Sequence, residues 1–247
     1  MTRTGKLYLI PTVIADGTQD QVIARHVREV LKTLRWFLVE DVRSARRYFT
    51  SMKVFENMDS LQFGVLNKDT AEDELPDLMR PLLEGTDMGL VSEAGCPGVA
   101  DPGAIAVQYA HQKNITVVPL VGPSSILLAL MASGLSGQQF AFNGYLPVED
   151  KELARSIKEF EHASRLSNQT QIFIETPYRN ARLLQKLVLH LQPDTRLCIA
   201  VDLTSPQEKI ISKPVSEWKR LPIEMPKSPA IFLFLAQKSK FRKSVRS

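Results

Sequence analysis

Cysteine and histidine are scarce in this chain, and their scarcity excludes several kinds of site. Only Cys96 and Cys198 occur among the 247 residues. Two cysteines so far apart in sequence provide neither a disulfide framework nor the clustered spacing of a zinc site, so we predict free thiols and no bound metal. Cys96 has no histidine near it in the sequence, which argues against a cysteine nucleophile and favours a small residue that fills a loop.

Long apolar runs and phosphate-binding motifs are also absent. No run approaches the roughly 20 apolar residues of a membrane span, and the N-terminal MTRTGKLYLI lacks the small-residue cleavage site of a secretory signal. We therefore predict a cytoplasmic protein that does not bind a membrane. Neither G-x-G-x-x-G nor G-x-x-x-x-G-K-[ST] occurs, which argues against the common enzymes of nucleotide di- and triphosphates.

Positive charge is concentrated at one end of the chain. The formal net charge is +4 and the pI is about 9.0. Five of the 31 lysines and arginines lie in the last ten residues, where no acidic residue occurs, so the rest of the chain is close to neutral. We predict a separate basic tail over 238–247, which either contacts RNA phosphates or is a solvated extension.

Strand-like and helical patterns alternate along the chain, which predicts an α/β fold. In the first half, short apolar runs such as Trp36–Val39 and Met88–Val91 are separated by helical patterns over 22–34, 75–83 and 104–112. This alternation is typical of a mostly parallel sheet with helices on both faces.

A second set of elements follows an apolar helix that begins near Ser124. Its three late strands, 197–203, 209–212 and 231–235, are separated by only one short helical stretch, which predicts a mixed sheet. We therefore predict two α/β domains, 1–121 and 122–237, followed by the tail.

Two loops rich in glycine and proline follow apolar strands and precede helices. The first is Val91–Gly103, VSEAGCPGVADPG, and the second is Val117–Ser125, VVPLVGPSS. Glycine accepts positive φ and lets a ligand approach the main chain, while proline fixes φ and removes a donor. An ordinary strand-to-helix turn explains one such loop, but two of them favour a shared ligand cleft.

Several blocks, in order along the chain, resemble those of a known family. They are LYLI at 7–10, EDVR at 40–43, SEAGCPGVADPG at 92–103, VGPSS at 121–125, ASGL at 132–135, FNGYLP at 142–147 and FIETPYR at 173–179. Together they resemble the tetrapyrrole methylase superfamily of S-adenosylmethionine-dependent methyltransferases. Within it, the chain is most similar to the branch that 2′-O-methylates a cytidine of small-subunit ribosomal RNA.

The resemblance implies two α/β domains with a cofactor cleft between them, a homodimer, and S-adenosylmethionine as cofactor. It also implies the residues that contact this cofactor: Thr12, Ile14, Ser92, Glu93, Ala94, Gly95, Val99, Ala100, Asp101, Ser124, Ser125, Ile174, Glu175, Leu203, Pro229 and Ala230. The cofactor carries no phosphate, so the missing phosphate-binding motifs agree with it. Transfer of its methyl group mainly requires that two reactants be positioned and that water be excluded.

A 2′-hydroxyl is a poor nucleophile, so an acceptor of this type benefits from a base that takes its proton. None of the four histidines falls in a matching block, which leaves acidic residues at loops and strand ends as candidates: Asp41, Asp101 and Glu175. Glu40 and Asp41 follow the strand 36–39, where cleft residues of open α/β sheets gather. Arg43 is predicted to hold a substrate phosphate, and Arg46 and Arg47 extend this basic face unless they are simply solvated.

The chain departs from the RNA-methylating branch on the substrate side. Where that branch has Thr-Pro-Ile-Gly-Asn-Leu, this chain has Thr12–Gly17, TVIADG, and where it has His-Glu-His-Asn-Glu, this chain has Gly64–Asp73, GVLNKDTAED. Three hypotheses therefore stay open: a methyltransferase that acts on ribosomal RNA or the small ribosomal subunit, one that acts on a tetrapyrrole or another small molecule, and a non-catalytic relative that binds the cofactor or RNA.

Overall fold

The computed structural model describes residues 4–222 and 225–237, and the predicted basic tail lies outside these described residues. The chain divides into two compact units, Met1–Ser124 and Ser125–Ser247. The sequence predicts a domain boundary after residue 121, and the structure divides the chain after residue 124. In the described part of the chain, no helix is long and apolar enough to cross a membrane.

Unit 1 alternates strands and helices. Its elements are β1 (Lys6–Ile10), α1 (Gln19–Val22), α2 (Arg25–Thr33), β2 (Trp36–Val39), α3 (Val42–Met52), β3 (Gln62–Val65), α4 (Leu75–Leu78), α5 (Arg80–Leu83), β4 (Met88–Val91), α6 (Gly103–Gln112) and β5 (Thr116–Pro119), with short 3₁₀ helices at Met58–Ser60 and Glu72–Glu74. All five strands are parallel, in the order β3-β2-β4-β1-β5. The predicted parallel sheet is confirmed.

Both faces of this sheet are covered. One buried cluster centres on Phe37, Phe49 and Leu31, and the other centres on Leu7, Leu38 and Leu90. Because neighbouring side chains on a strand point to opposite faces, Phe37 and Leu38 of β2 enter different clusters. The parallel register aligns Ile10, Val39 and Val91, so the loops that follow β1, β2 and β4 start side by side at one edge.

Unit 2 begins with α7 (Ser125–Ser133) and has a mixed sheet. Its further elements are β6 (Phe140–Tyr145), α8 (Asp150–Ser167), β7 (Thr170–Glu175), α9 (Asn180–His190), β8 (Arg196–Val201), β9 (Lys209–Pro214), α10 (Val215–Trp218) and β10 (Ala230–Leu235). The strand order is β6-β7-β10-β8-β9, in which β6 and β7 are parallel and the other pairs are antiparallel. The predicted mixed sheet is confirmed. Phe173, Phe232 and Phe234 lie at the centre of its core.

Two stretches predicted as continuous helices are each divided into two helices in the structure. The pattern over 75–83 forms two short helices that meet at Met79, and each has a proline near its start, Pro76 and Pro81. Proline has no N–H to donate and therefore cannot continue a helix from the preceding turn. The pattern over 22–34 is interrupted where Ile23 and Ala24 adopt extended backbone.

Candidate active site

The carboxyl edge of the unit 1 sheet gathers several of the predicted residues. The backbone N–H of Thr12, after β1, donates to the carbonyl of Gly95, in the loop after β4, at 2.8 Å. The N–H of Glu93 donates to the carboxylate of Glu40, after β2, at 3.2 Å. Thr12, Glu40 and Glu93 also line one small recess, together with Ser92. Three strand ends therefore contribute to one site, as the parallel register requires.

Asp101 organises the loop after β4. Its Oδ1 accepts hydrogen bonds from the N–H of Gly98 at 2.8 Å and from that of Gly103 at 2.7 Å. These bonds stabilise a loop in which Gly98 has φ 80° and the non-glycine residue Ala100 has φ 60°. Asp101 Oδ2 is buried and has no hydrogen-bond partner among the described residues. Burial raises the pKa of this carboxyl group, although the two N–H donors partly oppose the rise.

The two glycine- and proline-rich loops are in contact. The thiol of Cys96 lies 3.3 Å from the carbonyl oxygen of Pro123. Gly122 of the second loop also lies so close to Pro11, which directly follows β1, that an added Cβ would be 2.0 Å from the proline Cβ. Cys96 fills the contact between the two loops, and their shared ligand stays a prediction.

Cys96 is expected to react slowly with iodoacetamide in the native protein at neutral pH. Burial, and then the charge of Asp101, raise the pKa of its thiol, so the reactive thiolate is depleted. Mass spectrometry of peptides, which distinguishes Cys96 from the buried Cys198, gives the rate for each thiol. Labelling of Cys96 at the same rate in the native and the urea-unfolded chain would contradict this assignment.

Glu40 and Asp41 have different surroundings although they are adjacent. Asp41 is exposed and caps α3, because its carboxylate accepts from the N–H of Ser44 at 2.7 Å. This bond lowers the pKa of Asp41, which makes it a weaker base. Burial raises the pKa of Glu40, and the neighbouring charges of Asp101 and Glu93 raise it further. Glu40, Glu93 and Asp101 thus form an acidic cluster at the sheet edge.

The predicted substrate arginines lie on one exposed side of α3. Arg43, Arg46 and Arg47 line a shallow groove along this helix, since residues three and four positions apart share a face. Arg46 also lies over the ring of Phe63, with its guanidinium carbon 5.3 Å from the ring centroid. Its Nη1 lies 3.8 Å from a carboxylate oxygen of Asp59. The side chain of Arg47 donates to Ser44.

In unit 2, the predicted residues meet at one end of the sheet. Ala230 pairs with Glu175 on one side and with Val201 on the other. The loop after Val201 is held by the N–H of Asp202, which donates to the carbonyl of Pro229 at 3.2 Å. Asp202 and Thr204 both have positive φ, 52° and 70°, and they flank the buried Leu203. Two non-glycine residues in this conformation mark a strained turn.

Glu175 is a paired carboxylate. It is 5% exposed, its Oε1 accepts from the N–H of Thr176 at 2.7 Å, and its Oε2 lies 2.8 Å from the guanidinium of Arg179. Removing either partner from such a buried pair leaves an uncompensated charge. The geometry therefore gives Glu175 a role in fixing the segment after β7, with Arg179 as its counter-ion.

The predicted cofactor residues are thus divided between the units. Unit 1 holds Thr12, Ile14, Ser92, Glu93, Ala94, Gly95, Val99, Ala100, Asp101 and Ser124, and unit 2 holds Ser125, Ile174, Glu175, Leu203, Pro229 and Ala230. Within unit 1, Val99 and Ala100 are exposed at the tip of the loop, whereas Thr12 and Ser92 are buried at its base. Within unit 2, Ser125 begins α7, and the other five lie on or beside β7, β8 and β10 at the sheet end described above.

The sequence did not single out three residues that shape these sites. Tyr48 donates from its buried hydroxyl to the carbonyl of Pro11 at 2.8 Å and lines the recess. Asn180 donates to the carbonyl of Ser228 at 2.7 Å and holds the segment that leads into β10. Arg179 pairs with Glu175. Its place four residues after Glu175, at the end of the block 173–179, was the available signal, while Tyr48 and Asn180 act through contacts distant in sequence.

Comparison with known proteins identifies the family. Residues 13–219 match the tetrapyrrole (corrin/porphyrin) methylases. Among curated relatives, the ribosomal RNA small subunit methyltransferase I of Vibrio cholerae serotype O1 is 32% identical over 211 residues, which cover 85% of this chain and 69% of the relative. The protein of the same name from Micromonospora olivasterospora is 34% identical over 214 residues, which cover 87% of this chain and 64% of the relative.

Solved structures share the fold. The methyltransferase CobJ superposes with a TM-score of 0.60 at 18% identity, covering 93% of this chain and 94% of its own. A uroporphyrin-III C-methyltransferase from Thermus thermophilus, complexed with S-adenosylhomocysteine, superposes with a TM-score of 0.55 at 15% identity. The match covers 94% of this chain and 97% of that structure. The resemblance stated from the sequence is confirmed, and with it the prediction of an S-adenosylmethionine-dependent methyltransferase. This chain belongs to the family of tetrapyrrole (corrin/porphyrin) methylases.

Proposed function

We propose that this protein transfers the methyl group of S-adenosylmethionine to a ribose 2′-hydroxyl of small-subunit ribosomal RNA. The observation that carries the proposal is the acidic cluster of Glu40, Glu93 and Asp101, with its unpartnered Asp101 oxygen, at the carboxyl edge of the unit 1 sheet. The acceptor is supported by relatives at about 30% identity, whose names specify small-subunit ribosomal RNA.

The residues present fit a cofactor that carries a sulfonium and an ammonium group but no phosphate. Carboxylates gathered at a sheet edge favour a cation, and the loop 91–103 brings main-chain groups toward the same edge. Thr12 Oγ1, in the recess at the edge of the unit 1 sheet, is buried without a hydrogen-bond partner among the described residues. Buried polar atoms of this kind call for a partner, and the ribose and amino acid groups of this cofactor supply donors.

When bound, the cofactor supplies an electrophilic methyl carbon. The protein must hold the acceptor oxygen in line with that carbon, exclude water and take the hydroxyl proton. Of the three predicted bases, Asp41 is occupied as a helix cap and Glu175 is paired with Arg179. Asp101 Oδ2 has no hydrogen-bond partner among the described residues, and burial raises the pKa of this carboxyl group. We assign the proton to Asp101 Oδ2.

The α3 arginines provide the surface for the RNA backbone. Arg43, Arg46 and Arg47 place three guanidinium groups on one helix face, and the groove they line starts at Asp41, beside Glu40. Guanidinium groups bind phosphate oxygens through two parallel hydrogen bonds. Phosphate contacts position a nucleic acid without reading its bases. The two roles of the sheet edge, cofactor binding and RNA positioning, are thus assigned to different side chains.

The cofactor is tested by calorimetry of the purified full chain with S-adenosylmethionine. Binding heat with 1:1 stoichiometry per chain is expected, and it should be greatly reduced with Asp202→Pro/Thr204→Pro, because proline is incompatible with the positive φ at both positions. No heat with the wild-type chain would contradict the proposal. The control Gly137→Ala, at a position with open space around it, should bind like the wild type.

Replacing Arg43, Arg46 and Arg47 together by alanine is expected to weaken the binding of small-subunit ribosomal RNA. The slope of log K against log salt should flatten by about 1 for each arginine that contacts a phosphate. Filter binding at several salt concentrations measures both quantities.

A matched control removes the same charge elsewhere. Arg25, Arg80 and Arg155 are exposed, and each is paired with an acidic residue on its own helix or next to it. Their triple alanine variant should keep a slope close to that of the wild type. Equal losses in both triple variants would show that total charge, rather than the α3 face, governs RNA binding, and would contradict the assignment.

A further inference from the structure

We propose that Tyr145 and Tyr178 of unit 2 form a stacking surface for unpaired bases of the RNA. The inference rests on the RNA acceptor proposed above and adds to it the residues that would hold the bases. Both tyrosines belong to sequence blocks, 142–147 and 173–179, whose other members are accounted for by the fold and by the Glu175–Arg179 pair.

Tyr178 is held outward by a rigid turn. Its side chain is 84% exposed. The turn Thr176–Arg179 is closed by the N–H of Arg179, which donates to the carbonyl of Thr176 at 2.9 Å, and Pro177 occupies the position that favours proline in such turns. The guanidinium of Arg179 further ties the turn to Glu175 and to the carbonyl of Leu146. The ring is therefore presented to solvent by an ordered segment.

Tyr145 is turned outward by a β-bulge. From Phe142 to Tyr145, β6 advances by three positions, whereas the paired β7 advances by only two, from Ile172 to Ile174. Gly144 supplies the positive φ, 63°, within this irregularity. Bulges re-aim side chains and are common beside active sites. The result is a tyrosine that is 59% exposed at the end of β6, an edge strand of the unit 2 sheet.

The two rings stand at the same end of the sheet as the predicted cofactor residues. Tyr145 is the register partner of Ile174, and Tyr178 follows Glu175 by three residues. The hydrogen bond from Arg179 to Leu146 connects the two segments directly. Unpaired bases of the RNA that reach this end of the unit 2 sheet would therefore have both aromatic faces beside them.

The chemistry of the surface fits unpaired RNA bases. Sequence-specific RNA recognition relies on unstacked bases that pack on aromatic rings and guanidinium planes, and Arg179 and Arg182 lie within or beside the same segment. The arginines are paired with Glu175 and Asp150, so the surface has little net charge and offers mainly aromatic faces. Stacking of this kind is worth about 1–3 kcal/mol per base.

The test compares alanine and phenylalanine at both positions. Tyr145→Ala/Tyr178→Ala should raise the KM for small-subunit ribosomal RNA by about 5- to 150-fold for each base that stacks, with the Kd for S-adenosylmethionine unchanged. Tyr145→Phe/Tyr178→Phe keeps both rings and should restore the wild-type KM. Leu166→Ala/Leu189→Ala, which removes two other exposed apolar side chains of unit 2, should have no effect.

Three outcomes would overturn the inference. An unchanged KM in the double alanine variant would remove the stacking role. A change of oligomeric state by analytical ultracentrifugation would assign the surface to a second copy of the chain, and a loss confined to cofactor affinity would assign it to the cofactor. Failure of the wild-type protein to bind or methylate this RNA would instead contradict the proposed function, and the two failures are thereby distinguished.

Discussion

Replacing Asp101 by asparagine is expected to lower kcat for methyl transfer by about 100- to 10,000-fold, the usual contribution of a positioned general base. Asparagine keeps a carbonyl oxygen, so the hydrogen bonds from Gly98 and Gly103 can persist. It loses the ability to accept a proton. Calorimetry with S-adenosylmethionine and circular dichroism of the same variant show whether the loop and its cofactor site survive the substitution.

The pH dependence of the wild type provides a second readout. Burial raises the folded-state pKa of Asp101 above its ordinary value of 3.8, so activity should rise with pH through this raised pKa, as the carboxyl group ionises. For stability the sign is opposite. A carboxyl group with a raised folded pKa stabilises the protein at low pH and loses that contribution as pH rises through the folded pKa. Asp101→Asn should therefore not destabilise the protein at neutral pH by loss of charge.

Asp41→Asn is the matched control for Asp101→Asn. Asparagine caps a helix as well as aspartate does, so the bond to Ser44 should be retained and kcat should stay near that of the wild type. A large loss of kcat in Asp41→Asn, with little loss in Asp101→Asn, would move the base to Asp41 and contradict the assignment.

Gly122→Ala is expected to destabilise unit 1 by about 1–3 kcal/mol, the cost of inserting atoms into a close contact. The added Cβ would lie 2.0 Å from Cβ and 2.5 Å from Cγ of Pro11, so one of the two loops must move. Pro11 immediately precedes Thr12, and the Gly122 segment contacts Cys96. The affinity for S-adenosylmethionine should therefore fall as well.

Urea unfolding followed by circular dichroism measures the stability of this variant, and calorimetry measures its cofactor affinity. Gly137→Ala serves as the control, because an added Cβ there has nothing within 4 Å, and alanine at an unstrained position is neutral or slightly stabilising. Equal stability of Gly122→Ala and the wild type would show that the Gly122 segment does not pack against Pro11 as described.

The fold was predictable where the apolar pattern is clear. β2 and β4 have the predicted bounds, because each is a short apolar run between polar turns. β3 was not predicted, since QFGV is short and only partly apolar at the edge of its sheet. The break after Val22 was hidden because Ile23 is apolar and buried in its extended conformation, so it fits a helical pattern without being helical.

The sequence predicted which residues lie together at the edge of the unit 1 sheet better than it predicted their contacts. Glu40 and Asp41 were placed at a strand end and Asp101 in the loop after β4, and the structure brings Glu40 and Asp101 close to each other. The distinct surroundings of these carboxylates depend on hydrogen bonds that the apolar pattern does not predict: a cap to Ser44, a bond from the distant Glu93, and two N–H donors in a loop with positive φ. The same applies to Glu175, whose pairing with Arg179 follows from the turn between them.

The most direct test of the account is transfer of labelled methyl groups from S-adenosylmethionine to small ribosomal subunits from a strain that lacks the modification, followed by nucleoside analysis of the RNA. The account predicts label in a 2′-O-methylated nucleoside with the wild-type protein and almost none with Asp101→Asn. Label in a base, or no label in RNA from a protein that binds the cofactor, would contradict it.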